Sequence, residues 1–222
     1  MSIQRSYSRL HVAMSRLGGS ALALAGLLAG TGCASSGSSA AGTYHPTGRV
    51  AAGSGSSWDG EPRTGVHINV DLSERKLYLK NGDDIVQAYA IGVGMDAMPT
   101  PQGNYSVRRI VWNPPWTPPN SAWAADKEPQ EPGAPDNPMK VVKIYFNEPD
   151  YYIHGTGSVA TLGGAVSHGC LRMAPSDAAS LARYLMEHGG AARDASWFEH
   201  VQSSNETETV MLASPVPMHV GG

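Results

Sequence analysis

From Val66 onward apolar and polar residues alternate, in His67-Ile68-Asn69-Val70-Asp71-Leu72 and again in Lys76-Leu77-Tyr78-Leu79-Lys80. A period of two places every second side chain on one face of an extended chain, the pattern of a half-buried strand. Asn81-Gly82 then supplies a tight hairpin turn before another extended run, Ile85 to Val93. Thr100-Pro101 and Gln102-Gly103 punctuate the next connection; Asn104 to Trp112, Val141 to Phe146 and Tyr151 to His154 read as further strands. Successive strands joined by turns restrict the chain to a mainly β domain, expected as two packed sheets. Helical spacing appears late, at Ala179, Leu181, Leu185 and Met186, and predicts one helix over Ser176 to His188 with Ser176 or Asp177 as its cap. Thr209 to Val216 is expected as a final strand, and the segment before it as a surface connection. His67, on an alternating strand, is read as a structural histidine rather than a ligand.

Between the last paired strands and the helix lies His154 to Met173, HGTGSVATLGGAVSHGCLRM. It holds a cysteine, two histidines and an arginine on a glycine-rich loop set between two rigid elements. A thiol attacks a carbonyl as its thiolate, and an ordinary cysteine is mostly protonated at neutral pH, so Cys170 needs a base or a positive field nearby. His154, at a strand end, is the candidate base. The gap from His154 to His168 is too long for one helix face but suits a loop that folds back and brings both to one pocket. The glycines let backbone amides approach a ligand closely, as a developing oxyanion requires.

Ile153-His154-Gly155-Thr156 followed by Ser167-His168-Gly169-Cys170-Leu171-Arg172-Met173 resembles the signature of the L,D-transpeptidase catalytic domain (YkuD type), a bacterial family that remodels peptidoglycan. The resemblance runs from about Thr64 to Met173 and resumes near the C-terminus. It takes in Ile91-Gly92-Val93-Gly94, the turn Thr100 to Tyr105, Trp116-Thr117-Pro118-Pro119 and Pro135 to Met139. It implies a β-sandwich of mixed sheets with one or two short helices, in a domain expected over residues 64–220. It further implies that Cys170 is the nucleophile and His154 the base, that the Gly155 carbonyl orients the imidazole, and that amides near His168, Gly169 and Cys170 form the oxyanion hole. Ser167 and His168 would shape the pocket, and Arg172 would brace the loop or hold a substrate carboxylate. The implied substrate is a peptidoglycan stem peptide, with a second stem, a cell-wall-attached lipoprotein or a D-amino acid as acceptor. A carboxypeptidase or amide hydrolase on the same scaffold and a non-catalytic cell-wall binding module are the alternatives.

The flanks add compartment. Arg5, Arg9 and Arg16 precede the apolar run Ala21 to Ala29, and Cys33 follows it: residues 1–33 have the layout of an export signal, expected to be of the lipoprotein type with Cys33 lipidated. A periplasmic or cell-envelope location, anchored to a membrane through that lipid, follows from the same reading. Residues 34–63 read as a flexible Ser/Gly/Ala linker. Removing the three leader arginines leaves 13 basic against 19 acidic residues, so a nucleic-acid partner is not expected. A structural disulfide between Cys33 and Cys170, the two cysteines of the chain, would tether a tail and stabilise little. His154, His168 and Cys170 offer three ligand types for zinc, but helical histidine spacing is absent and the resemblance implies no metal and no cofactor. Asn113 to Pro138 is long and proline-loaded, with Trp116 and Trp123; such loops serve as lids or binding walls, or Trp112 and Trp116 simply pin this one to the core.

Overall fold

The computed structural model describes residues 65–222, so the expected export signal, Cys33 and the linker lie outside the described residues. The strands are β1 (Val66–Asp71), β2 (Lys76–Asn81), β3 (Asp84–Ala90), β4 (Val93–Gly94), β5 (Gly103–Trp112), β6 (Lys140–Asn147), β7 (Tyr151–Gly155), β8 (Ala165–Ser167), β9 (Leu171–Met173) and β10 (Glu208–Gly221). The helices are α1 (Pro175–His188) and α2 (Ala195–Ser203). Eight strands form one sheet in the order β3-β2-β1-β10-β5-β6-β7-β9, and β4 with β8 forms a second. β1 with β10, β7 with β9 and β4 with β8 are parallel pairs and the remaining pairs antiparallel, so the large sheet is mixed, as expected, and the small one is a single parallel pair.

The hairpin read at Asn81-Gly82 is present. Asn81 pairs with Asp84, and Gly82 has φ 58, the sign a primed two-residue turn needs at its first central position. The extended run beyond it is broken: β3 ends at Ala90, and Ile91 to Met95 leaves the large sheet to serve the motif loop. Gly92 and Arg172 exchange backbone bonds of 2.9 and 2.8 Å, Val93 N–H donates to Gly164 O at 3.0 Å, and Met95 N–H to Ser167 O at 3.0 Å. The small sheet is therefore a brace for the loop carrying Cys170.

α1 begins at Pro175, one residue earlier than its expected cap. Ala174 is the N-cap and offers no side-chain bond; proline at the first position has no N–H to leave unsatisfied, so Ser176 and Asp177 sit inside the first turn. Ala178, Leu181, Ala182, Leu185 and Met186 form its buried stripe, while Ala179 is only half-buried. The expected surface connection contains α2. Asp194 caps it by accepting from Trp197 N–H at 2.8 Å, and Phe198 and Val201 are buried. The signal was present as a capping aspartate followed by Phe198 and Val201 at helical spacing. The final strand is also longer than Thr209 to Val216, running from Glu208 to Gly221.

One apolar cluster takes in Ile110, Trp112, Val142, Ile144, Phe146, Ile153, Leu171 and Met173 from the sheet with the buried stripes of both helices. Trp112, fully buried, meets Trp197 and Phe198 edge-on at 6.0 and 5.8 Å and donates its Nε1–H to Met186 Sδ at 3.3 Å. No helix among the described residues is long and apolar enough to cross a membrane.

Candidate active site

With Ile110, Ile144, Ile153 and Leu171 turned toward the helices, the alternate residues of the same strands must face the other way. The registers align them in two rows. Lys143 on β6 is opposite His154 on β7, which is opposite Arg172 on β9. One pleat away, Arg109 on β5 is opposite Tyr145, and Tyr145 opposite Tyr152; Cys170, just before β9, takes the next place beside Tyr152. All seven line one cleft of about 720 Å³, with Pro114 to Pro119 and Trp123 of the long loop forming the opposite wall. Standard strand spacing puts the Cα atoms of His154 and Cys170 roughly 8 Å apart on one face, close enough for their side chains to converge.

Cys170 is a half-buried free thiol that donates to Asp150 O at 3.4 Å. Burial pushes its pKa up, against the opposing pull of the Tyr152 backbone N–H, the Tyr152 hydroxyl, Lys143 and Arg172. His154 is 2% exposed, and its Nδ1 hydrogen-bonds Gly155 O at 2.8 Å. Burial holds the imidazole down at about 4; the Gly155 carbonyl opposes that shift, while Arg172 and Lys143 add to it. The resting pair is thus a neutral thiol and a neutral imidazole. A neutral imidazole can accept a proton, whereas an imidazolium cannot.

The loop between them is set by two contacts. Ser167 Oγ, buried, donates to Cys170 O at 2.6 Å and accepts from Gly169 N–H at 3.1 Å. The Gly169 amide, expected among the oxyanion donors, is thus occupied in shaping the loop, leaving the amides of His168 and Cys170 from that set. Gly169 has φ 108, and a Cβ there would stand 2.7 Å from the Tyr151 ring. At Gly155 the need is for space instead, since a Cβ would lie 2.3 Å from Lys140 O.

Trp123 stacks on His168, with centroids 3.8 Å apart and planes 5° off parallel. Trp116, 8% exposed, exchanges two 2.8 Å backbone bonds with Gln130 and lines the cleft. The loop is not wholly irregular, since residues Ala122–Ala124 make a 3₁₀ turn. It is pinned by the Asn137 side chain, which donates to Pro114 O and Glu131 O at 2.9 and 3.0 Å. Among the described residues no group of three or more His, Cys, Asp or Glu is placed to hold a metal ion.

Four of these cleft residues, Arg109, Lys143, Tyr145 and Tyr152, lie outside the motif. The ring of Tyr152 is held edge-on by Tyr145 at 5.2 Å and His154 at 5.7 Å, with Lys143 Nζ 4.8 Å from its centroid. Its hydroxyl is one of the groups that favour the Cys170 thiolate against burial of the sulfur. Lys143 is 8% exposed and donates to Pro115 O at 3.2 Å; burial lowers it to about 8, an effect Cys170 opposes and Arg109 reinforces. The alternation Val142, Lys143, Ile144, Tyr145 shows which pair faces away from the core, but not that a loop covers that side.

These features define a thiol site on a mixed β-sheet, with a buried imidazole and a glycine-shaped loop beside the sulfur. The family model for the L,D-transpeptidase catalytic domain (YkuD) matches residues 65–205, and the chain belongs to that family. The probable L,D-transpeptidase ErfK/SrfK of Escherichia coli (strain K12) is 35% identical over 123 residues, covering 52% of this chain and 39% of that protein. The putative L,D-transpeptidase YkuD of Bacillus subtilis (strain 168) is 28% identical over 116 residues, covering 52% and 58%. The chain spans between 39% and 58% of the length of these two relatives. A solved L,D-transpeptidase from Mycobacterium smegmatis matches 71% of this chain and 58% of its own at 16% identity, with a TM-score of 0.45.

Proposed function

We propose that this chain is a cysteine-dependent acyltransferase that acts on peptidoglycan stem tetrapeptides, exported to the cell envelope. The observation that carries the reading is the placement of Cys170 one pleat from His154 on a covered sheet face, inside the segment that matches the family model. His154 takes the Cys170 proton as the sulfur attacks the carbonyl carbon between the third residue and the terminal D-alanine. The carbon–sulfur bond forms, a tetrahedral oxyanion develops, and amides at His168 and Cys170 stabilise it. The carbon–nitrogen bond then breaks, with the imidazolium returning its proton to the leaving nitrogen. An acceptor amine attacks the thioester, loses a proton to His154, and expels the thiolate, which is reprotonated. The Gly155 carbonyl keeps Nδ1 protonated through this cycle, a task that a carboxylate performs in many triads.

Transfer prevails over hydrolysis when water is excluded and the amine is positioned. The wall from Pro114 to Trp123 is the part of the chain placed to do both. Membrane attachment through Cys33 belongs to the same proposal and is tested by fractionation of Cys33→Ser. The enzymatic reading is tested by mass spectrometry of muropeptides incubated with the purified protein and with Cys170→Ala. Cross-linked dimers from the wild type and unchanged tetrapeptide from the variant are expected. Tripeptide alone, with abundant acceptor, would replace transferase by carboxypeptidase. Turnover that survives in Cys170→Ala would remove the cysteine from the mechanism.

A further inference from the structure

Three cationic side chains line the cleft, and their counter-charges differ. Arg109 is matched: its Nε and Nη2 donate to the two carboxylate oxygens of Glu148 at 3.0 and 2.8 Å, and its guanidinium lies 3.7 Å from the centroid of the Tyr145 ring. Among the described residues the other ion pairs are Lys76 with Glu74, Lys127 with Asp126 and His200 with Glu206, so neither Lys143 nor Arg172 has a carboxylate partner. Lys143 is nonetheless 8% exposed, and Arg172 keeps a buried Nε–H without an acceptor. Burying a lysine ammonium and a guanidinium Nε–H without an anion is unfavourable, and proteins ordinarily pair such charges. The Cys170 thiolate, while it exists, balances one of them. Asp150, the acid on the cleft wall, is exposed and meets the thiol through its backbone carbonyl.

The backbone also departs from regular pairing to put Lys143 there. β6 slips register against β7 between Lys140 and Lys143, and Val141 within that slip has φ 66, a strained value for a β-branched residue. Bulges of this kind re-aim side chains. Here the result is a row of Lys143, His154 and Arg172, a cation on each side of the base, one pleat step from Cys170.

We infer that Lys143 and Arg172 form a carboxylate subsite that holds the free C-terminal carboxylate of the donor peptide's leaving residue. The inference rests on the acyl-transfer reading above. The pleat step from Cys170 to the row is roughly 7 Å. In the leaving residue the carboxylate carbon is three bonds from the scissile carbonyl carbon, with the nitrogen between them. Seating the carbonyl at Cys170 and the carboxylate in the row therefore brings the leaving nitrogen to His154, the group that must protonate it. By microscopic reversibility the same cations favour an acceptor whose amine has a carboxylate on the adjacent carbon over a plain alkyl amine.

The test compares a stem tetrapeptide as free acid with the same peptide as C-terminal carboxamide, following release of D-alanine or D-alaninamide by the wild type, Lys143→Met and Lys143→Arg. A charge-assisted pair of this kind should favour the acid about 10- to 100-fold in kcat/KM for the wild type. Lys143→Met should narrow that ratio about tenfold and Lys143→Arg should keep most of it. Alkylation of Cys170 by neutral iodoacetamide, run on the same proteins, reports whether Lys143 acts on the sulfur instead. Equal turnover of acid and amide by the wild type refutes the subsite alone, and needs no variant to fold. An unchanged ratio in Lys143→Met together with slower alkylation assigns Lys143 to the thiolate and also refutes it. Release of neither product by the wild type refutes the acyl-transfer reading and the subsite with it.

Discussion

Ile153 and His154 are neighbours in the chain and stand on opposite faces of one sheet. On the helix side, Ile144, Ile153 and Leu171 form a row across β6, β7 and β9, each 0% exposed and made only of hydrocarbon. On the cleft side the next row has Lys143 and His154 buried and Arg172 half-buried, and every member is ionisable. Burial acts with opposite sign on the two. It stabilises the apolar row by about 25 cal/mol for each Å² removed from water. It penalises the charged forms in the other row, holding His154 at about 4 and Lys143 at about 8. The apolar face fixes the register and so keeps the cleft groups in a conformation that they would not hold unaided.

The largest effect expected is at His154, the proposed base. His154→Gln should slow single-turnover acylation about 10²- to 10⁴-fold. His168→Gln, which loses a stacking contact with Trp123, should slow it far less. Acylation rates in the reverse order would exchange the two roles.

Substitutions across the sheet should separate its faces. Ile153→Ala should destabilise the fold by about 2–5 kcal/mol through lost burial and a residual cavity. Lys143→Met, of similar shape and without a charge to desolvate, should raise stability by about 1 kcal/mol. Urea denaturation of both variants checks this, and equal losses would mean that the lysine is as integral to packing as the isoleucine.

Acid should act on one face only. The folded pKa of His154 lies below its ordinary value of 6.5, so the unfolded chain takes up its proton first. The stability that comes from burying this imidazole neutral is complete above about pH 6.5 and is lost as pH falls toward 4. At pH 4.5 that loss is about 2–3 kcal/mol, and His154→Gln should abolish this component of the acid sensitivity. Denaturation at pH 7 and pH 4.5 measures it, and a variant as acid-sensitive as the wild type would place the sensitivity elsewhere.

The smallest effect expected is Tyr152→Phe, which keeps the ring packing and removes only the hydroxyl that favours the Cys170 thiolate. Losing one hydrogen bond to the thiolate should slow acylation about tenfold and move the midpoint of the Cys170 alkylation profile upward. A slower rate with an unmoved midpoint would shift the hydroxyl's role from the thiolate to the oxyanion.

Much of the domain is written in local patterns. The period of two from Val66 and the turn at Asn81-Gly82 determine strands and a hairpin, because side-chain alternation and a positive φ are properties of a few adjacent residues. The motif from His154 to Met173 names the thiol and its candidate base for the same reason: their chemistry is carried by residue type. α2, expected as part of a surface connection, also carried a local signal in Asp194, Phe198 and Val201, since capping and helical spacing are local. Which strands pair at long range, and in what register, is decided by the packing of the apolar rows in three dimensions. The parallel pairing of β7 with β9 puts Tyr152 beside Cys170 and Arg172 beside His154, joining residues of two separate strands. Lys143 between Val142 and Ile144 reads as a lysine facing water. Only the tertiary structure, by laying Pro114 to Trp123 over that face, makes it a buried cation, because whether a charge is solvated depends on what covers it.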